Sequence, residues 1–212
     1  MRKKTKFLDI YPCATDVFSD WADQGRDEGM ERGHAASVDF MFDKMADKFE
    51  RPFKAIDCGC GNGWVVRKFS KTKKCISVLG IDGAKNMIKK AQAIDDNNQY
   101  ICTDILRWEP SCLVDIIFSM EVLYYLEKPQ KFIKQVYDKW LNQTGSFIFG
   151  IDHYEENYSS LNWSKECGVN MNTQSIDFWL DVMEQTGFSK IDWWQTGAKS
   201  NWAGTLIIRG DK

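Results

Sequence analysis

The chain has 212 residues, of which 43% are hydrophobic and 27% charged, and its formal net charge is −2. This length predicts a single domain with a substantial core, and the composition is ordinary for a globular protein. Nucleic-acid binding is disfavoured, because neutralising phosphates requires a surplus of clustered lysines and arginines. The local basic run at residues 67–74 is better explained as a solvated helix end and loop.

The start of the chain, residues 1–13, is basic but has no apolar stretch of signal-peptide length, because Asp9 interrupts the only candidate. No apolar run approaches the length of a membrane span. The seven cysteines form no CxxC pair, and the chain has two histidines. We therefore expect reduced thiols, no metal site, a cytoplasmic location and no membrane association.

Two helices around a loop are predicted over residues 12–50, where apolar residues recur at helical spacing and Gly25, Gly29 and Gly33 interrupt the middle. The rest of the chain alternates between short apolar strands and helices. The predicted strands cover residues 54–59, 75–82, 99–104, 113–120, 146–152, 188–196 and 202–210. The predicted helices that follow the first strand cover residues 64–70, 84–94, 129–141 and 173–187.

This alternation predicts an α/β fold, a three-layer αβα sandwich around a mostly parallel seven-stranded sheet. The last two strands are close in sequence, which favours an antiparallel final strand. Trp193, Trp194 and Trp202 lie on or beside these strands and are expected to pack in the core, with an aromatic cage for a cationic amine as the alternative. Ligands of such sheets bind beyond the carboxyl ends of the strands.

The segment DCGCGNG, residues 57–63, follows the first predicted strand. Three glycines so close together indicate tight backbone geometry or close approach to a ligand. Their spacing differs from the dinucleotide fingerprint GxGxxG, whose third glycine would fall at residue 64, a tryptophan. The segment resembles the first motif of class I S-adenosylmethionine-dependent methyltransferases, an acidic residue followed by xGxGxG.

Three later segments extend the resemblance, which covers roughly residues 54–152. Asp82 ends the second strand in DGAKNM, which is similar to the family's D-x-S-x-x-M with Ala84 where serine is frequent. Asp104 ends the third strand in CTDI, and FSMEVLYYL, residues 118–126, resembles the family segment after the fourth strand. The resemblance implies S-adenosylmethionine as the cofactor and S-adenosylhomocysteine as its product.

The resemblance also implies roles for individual residues. Asp82 is expected to bind the ribose hydroxyls, and Asp104 to take the adenine amino group while Ile105 packs on the base. A backbone carbonyl near Ser119 is expected to meet the methionyl amino group, and Asp57 to stabilise the loop or contact that group through water. The expected cofactor-binding residues are Asp57, Gly59, Cys60, Gly61, Gly63, Asp82, Gly83, Met87, Thr103, Asp104, Ile105, Ser119 and Met120.

The resemblance further divides the single domain, residues 1–212, into three parts. These are an N-terminal helical lid, a cofactor-binding half and a substrate-side segment with the final hairpin, over residues 1–50, 54–152 and 153–212. His34 lies in the lid, from which Trp21 and Arg26 are expected to make contacts.

Methyl transfer from a sulfonium is an in-line displacement, for which a protein supplies alignment and, where the acceptor carries a proton, a base. His153 follows the fifth strand and is the predicted general base, with a structural hydrogen-bonding role as the alternative. Tyr125 and Glu121 follow the fourth strand and are further catalytic candidates. Tyr125 could contact acceptor or cofactor, whereas Glu121 could bind a cationic acceptor or cap the next helix.

The preferred function is methyl transfer to O, N or S of a small-molecule acceptor, by a monomer or homodimer without nucleic acid or membrane partners. A protein or RNA methyltransferase is an alternative, although residues 119–122 read SMEV and not the [D/N/S]-P-P-[Y/F] of enzymes that methylate exocyclic amino groups of bases. A non-catalytic, cofactor-binding partner subunit is another. A nicotinamide-dependent dehydrogenase is disfavoured by the glycine spacing.

Overall fold

The computed structural model describes residues 11–212. The prediction that the basic start is not a signal peptide concerns mostly residues 1–10, which lie outside the described residues. Seven strands are present in the described chain. Their bounds are β1 Phe53–Cys58, β2 Cys75–Asp82, β3 Gln99–Cys102, β4 Val114–Met120, β5 Leu141–Ile151, β6 Ser189–Thr196 and β7 Thr205–Asp211.

Helices precede and connect these strands. Their bounds are α1 Ala14–Asp23, α2 Asp27–Lys44, α3 Trp64–Ser70, α4 Lys85–Ile94, α5 Pro129–Gln135, α6 Trp163–Cys167 and α7 Ile176–Thr186. A π-helical turn, Val136–Trp140, continues α5 directly into β5. Ser175 caps α7, because its hydroxyl accepts a hydrogen bond from the backbone N–H of Phe178, and Gly187 ends it in the left-handed region.

The strands form one sheet in the order β3-β2-β1-β4-β5-β7-β6. β1 pairs in parallel with β2 and β4, and β4 with β5, whereas β7 runs antiparallel to both β5 and β6. The predicted sandwich with an antiparallel final strand is confirmed. The strand order reverses between β1 and β4, so the loops that follow these two strands meet at one edge of the sheet, where α/β proteins bind ligands.

The core lies on both faces of the sheet. Successive residues of β4 alternate between the two faces, since Ile117 packs in the cluster that contains Trp140 and Trp179, and Phe118 in the cluster that contains Phe69. The first cluster is covered by α7 and the π-helical turn, and the second by α2 and α3. This two-sided burial explains the nearly continuous apolar runs of β4 and β5.

Several predicted boundaries are wrong. Gly25 does end the first helix, with a φ of +70°, but Gly29 and Gly33 lie inside α2, where a Cβ added to either would meet no other atom within 4 Å. An exposed helix interior tolerates glycine at a cost of about 1 kcal/mol, so these two do not break the helix. β3 ends at Cys102, which leaves Asp104 in the following turn, and β5 begins at Leu141.

The tryptophans near the final hairpin are less buried than expected. Trp193 is 44% exposed, which contradicts its predicted core position, whereas Trp194 packs beside Phe40 with ring centroids 6.0 Å apart. Trp202 stacks on Trp163 at 5.7 Å. Within residues 11–212, none of the helices combines the length and apolar character needed to cross a membrane.

Candidate active site

The loop between β1 and α3 is built on three glycines with positive φ, which are Gly59 at +75°, Gly61 at +52° and Gly63 at +80°. A Cβ on Gly59 would lie 2.1 Å from a methyl group of Val122, and one on Gly63 would lie 2.4 Å from the Tyr100 ring. A Cβ on Gly61 would meet nothing within 4 Å. Packing against Val122 and Tyr100 therefore requires glycine at positions 59 and 63, whereas Gly61 faces open space.

Asp82 links this loop to the end of β2. Its Oδ2 accepts a hydrogen bond from the Gly61 N–H at 2.9 Å, and its Oδ1 accepts one from the Ala84 N–H at 2.7 Å. Burial raises the pKa of Asp82, and the backbone donors oppose that rise. Each carboxylate oxygen retains acceptor capacity, so the side chain can bind a ligand hydroxyl while it holds the loop.

Asp57 lies near the end of β1, and one of its carboxyl oxygens has no hydrogen-bond partner. Its side chain is buried, the residue being 2% exposed, and its Oδ2 has no hydrogen-bond partner. Burial, with the nearby charge of Asp82, raises the pKa of Asp57 to about 8. A buried carboxyl oxygen without a donor is costly, and a donor from a ligand or an ordered water would satisfy it.

A cavity of about 750 Å³ opens beyond the carboxyl ends of β1, β2 and β4. The predicted site residues that line it are Gly59, Gly61, Asp82, Gly83, Met87, Thr103, Asp104, Ile105, Met120, Glu121 and Tyr125. A smaller cavity of about 70 Å³ shares several of these walls and is also lined by Asp57, Cys60 and His34. The structure thus brings most of the predicted residues to one place.

Two of the predicted cofactor-binding residues line neither cavity. Gly63 is the N-cap of α3. Ser119 is fully buried, and its hydroxyl donates a hydrogen bond to the Cys58 carbonyl at 3.0 Å, which ties β4 to β1. Cys60 reaches only the smaller cavity, and burial holds the pKa of its thiol well above the usual value. These three residues therefore support the loop and the sheet.

The helix α1 covers part of the large cavity. Thr15 packs against Gly83, and Phe18 meets Tyr125 edge-on with ring centroids 5.2 Å apart. The Ser19 hydroxyl accepts a hydrogen bond from the Asn86 N–H at 3.0 Å, which fixes α1 on α4. Trp21 and Arg26, the expected lid contacts, line neither cavity; the Arg26 guanidinium instead lies 4.1 Å from the centre of the Trp21 ring.

An acidic cluster with one histidine lies beyond the carboxyl ends of β4 and β5. The His34 Nε2 lies 3.5 Å from the Asp152 Oδ2 and 3.9 Å from the Glu121 Oε2. The Glu121 Oε1 accepts a hydrogen bond from the Asp152 N–H at 2.6 Å, and its Oε2 accepts one from the Tyr124 hydroxyl at 2.7 Å. Glu121 has a φ of +61°, a strained value for a residue with a side chain.

Charge balance explains the ionisation of this cluster. Burial by itself disfavours imidazolium, but the contact with Asp152 and the charges of Glu121 and Asp152 outweigh it and raise the pKa of His34 to about 9. Burial and the Asp152 charge raise the pKa of Glu121 to about 8, against the effect of His34. The three donor atoms lie within 4.8 Å of one another, and a metal ion bound there would have to displace the proton of the imidazole.

Comparison with known proteins identifies the domain. Residues 56–149 match the family model described as a methyltransferase domain. The chain is 27% identical over 170 residues to malonyl-[acyl-carrier protein] O-methyltransferase of Halalkalibacterium halodurans, a match covering 75% of this chain and 59% of the relative. Residues 56–149 form a methyltransferase domain of the class I S-adenosylmethionine-dependent family.

Further relatives agree with this assignment. The chain is 25% identical over 154 residues to trans-aconitate 2-methyltransferase of Shigella dysenteriae serotype 1, and the match covers 66% of this chain and 58% of the relative. It thus spans less than two thirds of the length of either relative. The fold is similar to that of the methyltransferase in a complex with the Haloferax volcanii activator Trm112, with a TM-score of 0.77 and 23% identity over 92% of this chain and 97% of that one.

S-adenosylmethionine is the cofactor of this family of domains, and the cavity residues suit it. The space beside Gly61 admits close approach of a ligand to the backbone. The unpartnered Asp57 oxygen offers an acceptor to an amino group or a water, and Asp82 offers one to a diol. Thr103 and Ile105 provide the wall that follows β3.

His153, the predicted general base, lies elsewhere in the structure. Its ring is fully buried, with Nδ1 3.0 Å from the Ser160 carbonyl and Nε2 2.8 Å from the Thr173 hydroxyl. Burial lowers its pKa, and it lines neither cavity. This geometry favours the alternative that His153 is a structural hydrogen-bond partner.

His34 and Asp152 are the site residues that sequence reasoning missed. Asp152 directly follows β5, and its position at the same sheet edge as Glu121 was a usable signal. His34 carries no comparable signal, because only the packing of α2 over the sheet brings it to the ends of β4 and β5.

Proposed function

We propose that the protein transfers the methyl group of S-adenosylmethionine to an O, N or S atom of a small-molecule acceptor. The observation that carries this proposal is the cavity itself, about 750 Å³, within the roughly 300–1,000 Å³ of small-molecule sites. It is lined by predicted cofactor-binding residues and by a second group of residues, Glu121, Tyr125, Val169 and Asn170. The names of the relatives also give compact methyl acceptors, a carrier-bound malonyl group and trans-aconitate.

In this proposal, Asp82 binds the ribose hydroxyls, and Ile105 packs against the adenine near Asp104. Asp57 accepts a hydrogen bond from the methionyl amino group, directly or through water, which relieves its unpaired Oδ2. Each of these side chains lies at or just beyond the carboxyl end of a strand, along the same edge of the sheet, so the fold fixes their spacing.

When bound, the cofactor supplies a methyl group already activated by its sulfonium. The protein then has to align the acceptor, exclude water and receive a proton where the acceptor releases one. Phe18 and Tyr125, in edge-on contact, shield the cavity from solvent, and Glu121 and Tyr125 stand where an acceptor would lie. Tyr125 has its hydroxyl 3.1 Å from that of Tyr124, and burial raises its pKa, so it contributes as a neutral group.

The test uses S-adenosylmethionine with a labelled methyl group. The protein is incubated with an extract of the source organism, and label is counted in the metabolite, RNA and protein pools. Label in metabolites supports the proposal, provided that Asp82→Ala lowers incorporation in parallel with cofactor affinity. Label confined to RNA or protein contradicts it.

A second candidate is a protein or RNA methyltransferase that acts with an activator subunit. One observation supports it, the likeness over almost the whole chain to the methyltransferase in a complex with the activator Trm112. If the chain alone labels no pool, but labels protein or RNA once a purified Trm112 homologue is added, this candidate replaces the first. A chain that binds S-adenosylhomocysteine but transfers no methyl group in either case would be a non-catalytic partner subunit.

A further inference from the structure

The charged side chains that line the large cavity share one sign. Among the described residues, they are Asp82, Asp104, Glu121 and Glu127. Asp82 and Asp104 lie at the proposed cofactor end, which leaves Glu121 and Glu127 at the acceptor end. A wall of this sign repels a carboxylate or phosphate acceptor and attracts a cation.

Glu121 is the charged group best placed to meet an acceptor. Its side chain is 8% exposed, yet it lines both the large and the small cavity. Its two oxygens are oriented by hydrogen bonds from the Tyr124 hydroxyl and the Asp152 N–H. Because each carboxylate oxygen can accept two hydrogen bonds, an N–H donor in the cavity still finds a free position.

The cation of the cluster is not free to bind an anionic acceptor. His34 is 3.5 Å from Asp152 and 3.9 Å from Glu121, so two carboxyl groups already face its charge. In the described part of the chain, no lysine or arginine lines either cavity. The site therefore differs in charge from what a carboxylic acid acceptor would need.

We propose that the acceptor is an amine and that Glu121 binds its ammonium form and receives the proton that must leave before methyl transfer. This inference rests on the proposed function, of which it names the substrate class. His34 and Asp152 are positioning residues, which act on the acceptor through Glu121.

Proton transfer precedes methyl transfer in this reaction. The ammonium group gives one proton to the Glu121 carboxylate, which frees the nitrogen lone pair. That pair forms the N–CH3 bond as the S–CH3 bond breaks, and the electrons of the broken bond stay on sulfur, which becomes a neutral thioether. The product leaves as a methylated ammonium ion, and Glu121 releases its proton to water.

The surroundings of Glu121 match this task. It is faced by Asp152 after β5, by His34 on α2, and by the hydroxyls of Tyr124 and Tyr125 in its own loop. Asp57 lines the same small cavity. Burial among these groups raises the pKa of Glu121 to about 8, so the carboxylate that binds the ammonium group and takes its proton forms as the pH rises through that value.

The first experiment identifies the methylated atom. Cofactor with a ¹³C-labelled methyl group is incubated with the full chain and a whole-cell extract, which is then separated into metabolites and macromolecules. The chemical shift of the product methyl distinguishes N–CH3 from O–CH3 and S–CH3. An N–CH3 product supports the inference. An O–CH3 or S–CH3 product overturns it and leaves the proposed function standing, whereas label only in macromolecules overturns both.

The second experiment tests Glu121 with the N-methylated metabolite as substrate. Glu121→Gln should lower kcat at least 100-fold, within the range for general acid–base catalysis, and abolish the rise in rate between pH 7 and 9. Its Kd for S-adenosylhomocysteine should stay within about threefold of the wild-type value, because a threefold change corresponds to a smaller free energy than a typical hydrogen bond contributes. Glu155→Gln, the same change on an exposed side chain that lines neither cavity, should leave rate and profile unchanged.

His34→Gln separates positioning from folding. Loss of the imidazolium should shift the apparent pKa of the rate profile upward, because the His34 charge lowers the pKa of Glu121. A purely structural role would not move the profile.

A Glu121→Gln variant that binds S-adenosylhomocysteine and keeps the wild-type rate, or a wild-type rate independent of pH between 7 and 9, would overturn the inference.

Discussion

Asp82 has two tasks at the residue scale, since the same carboxylate that faces the cavity also holds Gly61 and Ala84 by hydrogen bonds. Asp82→Ala should weaken S-adenosylhomocysteine binding by about 1.5–3 kcal/mol, the range for hydrogen bonds to charged groups. Calorimetric titration measures this directly. Asp82→Asn, which keeps one acceptor oxygen, should lose less.

The matched control for this prediction is Asp96→Ala, which removes an exposed carboxylate just beyond α4 that lines neither cavity. The affinity of this variant for S-adenosylhomocysteine should equal that of the wild type. If Asp82→Ala also binds with unchanged affinity, Asp82 is not a ribose ligand, and the assignment of roles at the end of β2 is wrong.

At the scale of elements, the glycine loop divides into positions that serve packing and a position that serves the ligand. Gly63→Ala places a methyl group 2.4 Å from the Tyr100 ring, whose hydroxyl is fixed by a hydrogen bond to Asp95 at 2.7 Å. Left-handed strain and overpacking together should lower the free energy of unfolding by roughly 2–4 kcal/mol, measured by urea denaturation.

Gly61→Ala should behave differently, because its Cβ would meet no protein atom within 4 Å. We expect a stability loss of about 1–2 kcal/mol from left-handed strain alone, together with at least tenfold weaker binding of S-adenosylhomocysteine. Each variant serves as the control of the other. Equal effects of the two substitutions on stability and binding would show that the loop does not discriminate between packing and ligand contact.

The helix α7 offers a prediction independent of the cavity. The Ser175 hydroxyl caps the helix by accepting a hydrogen bond from the Phe178 N–H at 3.2 Å. Ser175→Ala should cost about 1 kcal/mol of unfolding free energy and leave S-adenosylhomocysteine affinity unchanged. Ser70→Ala is a suitable control, since the exposed Ser70 hydroxyl only donates a hydrogen bond to the nearby Arg67 carbonyl. Equal losses from the two variants would contradict a capping role.

Local patterns predicted the strands because most of them are apolar runs with a glycine or an aspartate at one end, and such runs can be recognised without knowledge of the partner strand. The same patterns could not predict that Gly29 and Gly33 stay inside α2, since the packing of Val38 and Met41 on the core holds that helix together. They also could not separate His34 from His153. Both lie near apolar residues in the sequence, and only the tertiary fold directs one to the cavity and the other into the core.

At the scale of the whole molecule, the sheet order collects acidic groups at one edge. β2, β1, β4 and β5 are neighbours in the sheet, although this is not their order along the chain. An acidic residue lies at or just beyond the carboxyl end of each strand, and these residues are Asp57, Asp82, Glu121 and Asp152. Concentrating carboxyl groups in a buried edge raises the free energy of their charged forms. The arrangement needed for binding and chemistry thus makes the stability of the free protein depend on pH.

The direction of this dependence follows from three groups. Asp57 and Glu121 have pKa values near 8 in the folded state, against ordinary values of 3.8 and 4.5, and His34 has one of about 9, against 6.5. From about pH 4.5 to 8 the folded carboxyl groups hold protons that the unfolded chain has lost, and His34 does the same from 6.5 to 9. Folding therefore takes up protons, and stability falls as pH rises through these windows.

The free energy of unfolding in urea should accordingly be lower at pH 8 than at pH 6, because all three windows cover part of that interval. Below about pH 4 stability should fall again, since Asp27, Asp47 and Asp211 have lowered pKa values and lose their ion pairs on protonation. Glu121→Gln, whose amide cannot titrate, should show a shallower decline between pH 6 and 8 than the wild type. A wild-type stability that rises over that interval would show that the acidic edge is charged in the free protein and neutralised by groups other than His34.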